Sequence, residues 1–144
     1  MNDNNRNSVH WSFWVIGVAA LIWNVLGSVN YLMQTNPELV ARFPETHQAI
    51  INGRPAWATS GFAIGVFVGA LGALVMLLRK TAAHYLFVAS LLGVIAATIH
   101  TVNVAASGIQ FNNFELVMMI PMPVLVAGIL VGYSRWAGRR GWLS

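Results

Sequence analysis

The first long apolar run of the sequence carries polar side chains at helical spacing. Asn24, Ser28 and Tyr31 follow one another by four and three residues, so they share one face of a helix. A polar side chain in an apolar segment needs a hydrogen-bond partner, which either a neighbouring helix or a polar cavity can supply. The spacing leaves both interpretations open. A polar cavity would make this face part of a binding site.

Other polar and ionisable side chains lie near the ends of the apolar runs. Asn30 is close to the end of the first run, Trp57 begins the second, and His100 lies near the end of the third. An ionisable residue in a membrane segment is by default a functional candidate, although a histidine so close to the end of a span can also simply reach water. We therefore predict a polar cavity whose candidate residues are Asn24, Ser28, Asn30, Tyr31, Trp57, His100, Asn103 and Glu115.

The other reactive residue types argue against covalent or metal chemistry. The chain has no cysteine, which excludes disulfides, thiolate metal sites and cysteine nucleophiles. Bis-histidine haem needs two imidazoles at similar depth, but His10 and His84 are predicted near one membrane boundary and His100 near the other. His47 lies alone in a long connection, a position typical of a solvated side chain. We predict no metal, no cofactor and no enzymatic activity, because no nucleophile, base and acid group together.

The composition is that of an integral membrane protein. Of 144 residues, 57% are hydrophobic and only 8% are charged, and the mean hydropathy is +0.64. Four stretches without a charged residue are each long enough for one membrane span, at 7–37, 55–78, 81–114 and 116–134. The basic residues cluster at the ends of these stretches, where they anchor helices, so the high pI does not indicate nucleic-acid binding.

We therefore predict an all-α, polytopic membrane protein with four transmembrane helices in an antiparallel bundle. The expected spans are 11–33, 57–78, 83–104 and 114–136, which form a single domain, with a short helical segment in the connection 34–56. The short link at 79–82 joins the second and third spans as a hairpin. Residues 1–10 and 137–144 are expected to be tails, the latter with Trp142 as an anchor at the membrane surface.

Glycines and prolines indicate how the spans pack and where one of them breaks. Gly61, Gly65, Gly69 and Gly72 recur at near-helical spacing in the second span and predict close packing against other helices. Pro121 and Pro123 lack the N–H groups that would bond to the preceding turn, so the fourth span is expected to kink or break there.

The distribution of basic residues predicts the orientation. Six bases lie on the side that carries both termini and the link between spans two and three, whereas only Arg42 and Arg54 lie on the other side. By the positive-inside rule the termini are cytoplasmic, so most of the candidate polar residues approach the external surface. A pocket formed by them would open outward.

Four segments of the sequence resemble one family. They are IWNVLGSVNYLMQ at 22–34, PAWATSGFAIGVFVGALGALVMLLRK at 55–80, SLLG at 90–93 and RRGWL at 139–143. They are similar to a family of small bacterial four-helix integral membrane proteins of unknown function that automatic labels often call "sugar transporter". The resemblance implies the bacterial inner membrane and a transport-related role, and the family has no established catalytic residues to carry over. Asn30 stands where some relatives have an acidic residue, so the resemblance implies no proton-coupling carboxylate there.

Two functions follow as expectations. The first is a role in the transport of a solute or sugar, because broken helices and polar clusters line transporter sites. The alternative is an accessory or stabilising subunit that packs against a larger membrane complex through its glycine-rich face. The expected partners are membrane lipids together with a homo-oligomer or a larger membrane complex.

Overall fold

Eight α-helices follow one another along residues 8–144, the part of the chain that the computed structural model describes. The helices are α1 Trp11–Met33, α2 Pro37–Val40, α3 Glu45–Asn52, α4 Ala56–Ala63, α5 Gly69–Leu77, α6 Ala82–Ala105, α7 Asn113–Met119 and α8 Pro121–Arg139. A π-helical turn, Ile64–Val68, joins α4 to α5, so these elements form one continuous second span. The predicted N-terminal tail lies mostly outside the described residues.

Four segments are long and apolar enough to cross a membrane. They are Trp11–Met33, Ala56–Leu77, Ala82–Ala105 and Asn113–Arg139. The prediction of an all-α bundle with four spans is confirmed, and the protein is a multi-pass membrane protein. The fourth span continues three residues beyond its predicted end at 136, to Arg139. The connection predicted to hold a short helix contains both α2 and α3.

The spans pack in chain order. The second span lies between α1 and α6, and α6 lies between the second span and α8. One end of the bundle carries the turn at 78–81 and the C-terminal residues, and we call it the tail end. The opposite end carries α2, α3 and the connection 106–112, and we call it the capped end.

Aromatic side chains close the tail end. The ring of Phe13, fully buried on α1, lies 6.0 Å from the ring of Trp142 and 6.5 Å from that of Tyr133 on α8. Gly141 adopts a φ of +72°, which turns the chain back after α8. Trp142, expected as a surface anchor, is therefore only 9% exposed and fills the space between α1 and α8.

The C-terminal residues are also fastened to the turn between the second span and α6. The Ser144 N–H donates to the carbonyl of Arg79 at 2.7 Å, and the Arg79 Nε–H donates to the carbonyl of Trp142 at 3.0 Å. These bonds fix the C-terminal residues to the turn, whereas α1 and α8 meet at the tail end through the rings of Phe13 and Tyr133.

The fourth span is interrupted at the prolines. α7 ends at Met119, α8 begins at Pro121, and Ile120 between them has φ −106° and ψ −75°. A proline ring collides with the preceding helical turn and removes one hydrogen bond, which accounts for the interruption. The fourth span therefore consists of two helices, α7 and α8.

The glycines of the second span lie where helices approach closely. A methyl group on Gly61 would meet the Gly93 carbonyl oxygen at 2.8 Å, and one on Gly65 would meet Val94 of the same helix α6 at 2.9 Å. Gly72 approaches the ring of Phe87, also on α6. Gly69 differs, because Asn24 of α1 also reaches it.

Candidate functional site

A cavity of about 450 Å³ lies in the half of the bundle toward the capped end. Its walls come from α1, the second span, α6 and the two halves of the fourth span, and α3 forms its roof. This volume falls within the range of about 300–1,000 Å³ that is typical of small-molecule sites. The cavity is therefore large enough for a ligand of moderate size.

The cavity opens sideways between α1 and the fourth span. These two elements converge at the tail end but do not pack along each other in the described structure. The lining side chains Trp23 and Leu26 on α1 and Met118 on α7 are 38%, 63% and 36% exposed, so they mark the two edges of the gap. In a bilayer these edges face the lipid chains, and the opening leads into the membrane.

Polar groups form the floor of the cavity at about mid-length of the spans. The Ser90 Oγ–H donates to the carbonyl of Gly65 in the π-helical turn at 2.6 Å, and the Asn24 Nδ2–H donates to the Ala20 carbonyl at 2.9 Å. Both side chains lie against Gly69, which leaves room for them because it has no side chain. Single π-helical turns inside helices are common at functional sites.

A second set of polar groups lies at the capped end of the cavity. The Gln34 side-chain N–H donates to Asn30 Oδ1 at 2.5 Å, whereas Gln34 Oε1 is buried without a hydrogen-bond partner in the described structure. The Arg54 guanidinium lies 5.3 Å from the ring centre of Phe62, and its Nε–H donates to Thr59 Oγ1 at 3.3 Å. Burial lowers the pKa of Arg54 from its ordinary value, and nearby Tyr31 opposes part of this shift.

The roof helix α3 is fastened on two sides. The His100 Nε2–H of α6 donates to the Ile50 carbonyl at 3.0 Å, which satisfies an oxygen that the end of α3 leaves without a helical partner. On the other side the Thr46 hydroxyl donates to Glu115 Oε1 at 2.8 Å. His47 Nδ1 lies 3.7 Å from the same Glu115 oxygen. His100 and Glu115 therefore hold the roof in place and do not line the cavity.

Of the eight candidate cavity residues, the structure brings only Asn24 and Asn30 to the cavity wall. The Ser28 hydroxyl donates to the carbonyl of Asn24 one turn earlier, at 2.9 Å. Tyr31 packs against the rings of Phe62 and Phe67. The face that these polar residues share is thus directed largely into the contact with the second span.

The remaining two candidates lie outside the cavity. Trp57 is 51% exposed and contacts the ring of His100 edge to face, with 6.4 Å between ring centres. Asn103 is exposed. Both residues are near the capped end, as expected, but the rotation of each helix about its axis directs the side chain away from the cavity.

Several lining residues were absent from the sequence-based set. They include Gln34, His47, Arg54, Ser90, Thr98 and Thr101. His47, expected to be solvated, is partly buried on the inner side of α3, with 33% of its side chain exposed. A signal for this was present: His47, Ile50, Ile51 and Arg54 are spaced by three, one and three residues, which is one helical face.

No protein-family model, curated protein or solved structure matches this chain. The chemistry of the site therefore has to be argued from its own residues. Polar groups at the two ends of the cavity and apolar side chains between them, such as Val66, Val94 and Leu130, can bind and orient a molecule. In residues 8–144 no three His, Asp or Glu side chains group as metal ligands.

Proposed function

We propose that this protein binds a lipid-like molecule in the lateral cavity and takes part in its movement between the bilayer and the capped end. The observation that carries the proposal is the opening of the cavity between α1 and the fourth span, on the surface that faces lipid. A ligand with an apolar body can enter through this gap without crossing water.

The lining favours an amphiphile over a free sugar or an ion. Most of the wall between the polar ends is aliphatic, including Val66, Val94, Val126 and Leu130. A sugar would bury many hydroxyl groups against these side chains without hydrogen bonds, at a cost of about 1–3 kcal/mol for each unpaired group. An alkyl or isoprenoid chain fits the same wall and gains from its burial.

The proposal includes the location and orientation predicted from the sequence. Five of the described basic residues lie at the tail end or beside it, and Arg6 precedes α1 in the sequence, which favours a cytoplasmic tail end by the positive-inside rule. The capped end, with α3 and the polar groups beneath it, would then face the outside of a bacterial inner membrane. A transport-related role is also what the resemblance to the small four-helix family implies.

Photochemical labelling in phosphatidylcholine nanodiscs tests the proposal. We expect a hexadecanoic acid or a hexadecanol probe with a diazirine in its chain to label cavity residues such as Met118 and Val126, detected by peptide mass spectrometry. Val126→Trp fills part of the cavity and should reduce this labelling several-fold, because the probe chain loses its space. The matched change Val25→Trp lies on the exposed face of α1 and should leave the labelling of the cavity unchanged.

The proposal would be contradicted if either probe labelled all exposed faces alike and if this labelling were unchanged in Val126→Trp. In that case the alternative of an accessory subunit gains weight. Its structural support is the exposed face of α8, where open space surrounds Gly128 and Gly132. A co-purifying membrane protein in the same preparation would favour that alternative.

A further inference from the structure

Arg54 is a cation without an anionic partner at the capped end of the lateral cavity. The one ion pair among the described residues joins His47 to Glu115, so no described carboxylate lies within 4.0 Å of the guanidinium. Arginine stays charged in proteins, and its side chain has five N–H donors. Only the Nε–H has an acceptor in the described structure, the hydroxyl of Thr59, so the donors of the two terminal nitrogens remain available.

The surroundings of Arg54 do not neutralise its charge. One side of the guanidinium is covered by the ring of Phe62, which orients the group without supplying a counter-charge. The carboxylate of Glu115 is already used by the Thr46 hydroxyl, by the backbone N–H of Asn112 and by its contact with His47. A half-buried cation in this position is stabilised by any anion that can reach it.

A second donor is present in the same part of the cavity. The Oδ1 of Asn30 accepts from Gln34, which leaves the Asn30 side-chain NH₂ without an acceptor in the described structure. Arg54 and Asn30 both line the cavity, one from the chain before α4 and the other from α1. Their unused N–H groups match a head group that carries several acceptor oxygens.

From Arg54 and Asn30 the cavity continues along aliphatic walls. Val66 and Val94 lie on one side and Val126 on the other, between the capped end and the floor at Asn24 and Ser90. A chain placed along these walls would put its head group at Arg54 and its tail along the valines toward the lateral opening. The lining therefore changes from charged to apolar along the length of a single amphiphile.

We infer that the ligand is an amphiphile with an anionic oxygen head group, a carboxylate or a phosphate, which Arg54 and Asn30 bind at the capped end of the cavity. This inference rests on the proposed function, since it assumes that a chain-bearing molecule occupies the cavity. Arg54 is then the residue that distinguishes an anionic ligand from a neutral one of the same length. His47 of the roof helix also lines the cavity.

Competition against the photochemical probe tests the inference. Unlabelled hexadecanoate, hexadecyl phosphate and hexadecanol are compared in neutral nanodiscs at mildly alkaline pH, so that the carboxyl group is ionised. We expect at least one anionic competitor to act at about tenfold lower concentration than hexadecanol, because a hydrogen bond to a charged group is the stronger kind. The better of the two anions identifies the head group as carboxylate or phosphate.

Variants of Arg54 assign the effect to the guanidinium. Arg54→Met should remove the advantage of the anionic competitors and leave competition by hexadecanol unchanged. Arg54→Lys should retain part of this advantage, because the lysine ammonium group still supplies a positive charge. Arg42→Met, a change of an exposed arginine in the same connection, should have no effect. If Arg54→Met does not fold, the three competitors are compared on the natural protein and on Arg54→Lys, and a smaller anionic advantage in Arg54→Lys still assigns the effect to Arg54.

The outcomes separate the two proposals. Equal competition by the anions and hexadecanol, or an undiminished anionic advantage in Arg54→Met, would overturn the inference and leave the lateral cavity as a neutral lipid site. The same results are expected if Arg54 only contacts phosphates of the surrounding bilayer. Failure of every probe to label the cavity of the natural protein would instead overturn the proposed function itself.

Discussion

His100 shows how one residue can be conspicuous in the sequence for a reason other than ligand binding. It is an imidazole near the end of an apolar span, and in the structure it is 7% exposed with its Nε2–H bonded to the Ile50 carbonyl. The bond joins α6 to the roof helix across fifty residues of sequence. His100 therefore positions the roof, and through it His47 and the chain leading to Arg54.

Removing the His100 side chain should destabilise the protein. His100→Ala leaves the Ile50 carbonyl buried without a donor and also removes the contact with Trp57, so we expect a loss of about 1–3 kcal/mol and a lower midpoint of thermal unfolding in detergent. Asn103→Ala, on the exposed side of the same helix, is the control and should leave the midpoint unchanged. Equal midpoints for the two variants would show that the bond contributes nothing measurable.

At the scale of elements, the glycine-rich second span packs against α6 and also shapes the cavity floor. Gly61 and Gly65 allow backbone contact with α6. Gly65 is also part of the π-helical turn, and its carbonyl accepts a hydrogen bond from the Ser90 hydroxyl. Gly69 admits Asn24 from α1. The same small residues therefore serve helix packing and leave space for the polar floor.

Two glycines in helices should respond to the same substitution with opposite sign. Gly61→Ala would place a methyl group 2.8 Å from the Gly93 carbonyl oxygen, a backbone atom that cannot move without separating the helices, so we expect a loss of about 1–3 kcal/mol. Gly128→Ala meets nothing within 4 Å and should be neutral or gain up to about 1 kcal/mol from helix propensity. Thermal unfolding of both variants measures the difference, and a stabilised Gly61→Ala would contradict the packing argument.

At the scale of the whole molecule, the cavity exists because the first and last spans converge at only one end. Phe13, Tyr133 and Trp142 hold α1 and α8 together at the tail end. Toward the capped end α1 and the fourth span do not pack along each other, the fourth span is interrupted at Ile120, and a lateral gap is left below the roof helix α3. The opening thus depends on all four spans and on the C-terminal residues.

The orientation proposed for the bundle can be measured directly, because the chain has no native cysteine. Gln110→Cys at the capped end and Thr81→Cys at the tail end are both exposed positions. With a membrane-impermeant thiol reagent on intact cells, we expect labelling of Gln110→Cys, and of Thr81→Cys only after the cells are permeabilised. The reverse pattern would place the capped end of the bundle in the cytoplasm.

The sequence by itself determined the four spans and the break in the fourth. Span length, hydropathy and proline chemistry are local properties, so they can be recognised without knowledge of neighbouring helices. The helical spacing of His47, Ile50, Ile51 and Arg54 was also present in the sequence, but its inner face becomes evident only once α3 is placed over the bundle.

Only the tertiary structure decided which polar side chains share a cavity. Depth along a span follows from residue number, which is why Asn24 and Asn30 were found and why His100 and Asn103 were placed near the correct end. The direction of a side chain follows from the rotation of its helix, and that rotation is set by contacts such as Gly61 against Gly93 and Phe13 against Trp142. These contacts join residues far apart in sequence, so spacing within a single helix cannot predict the wall of the cavity.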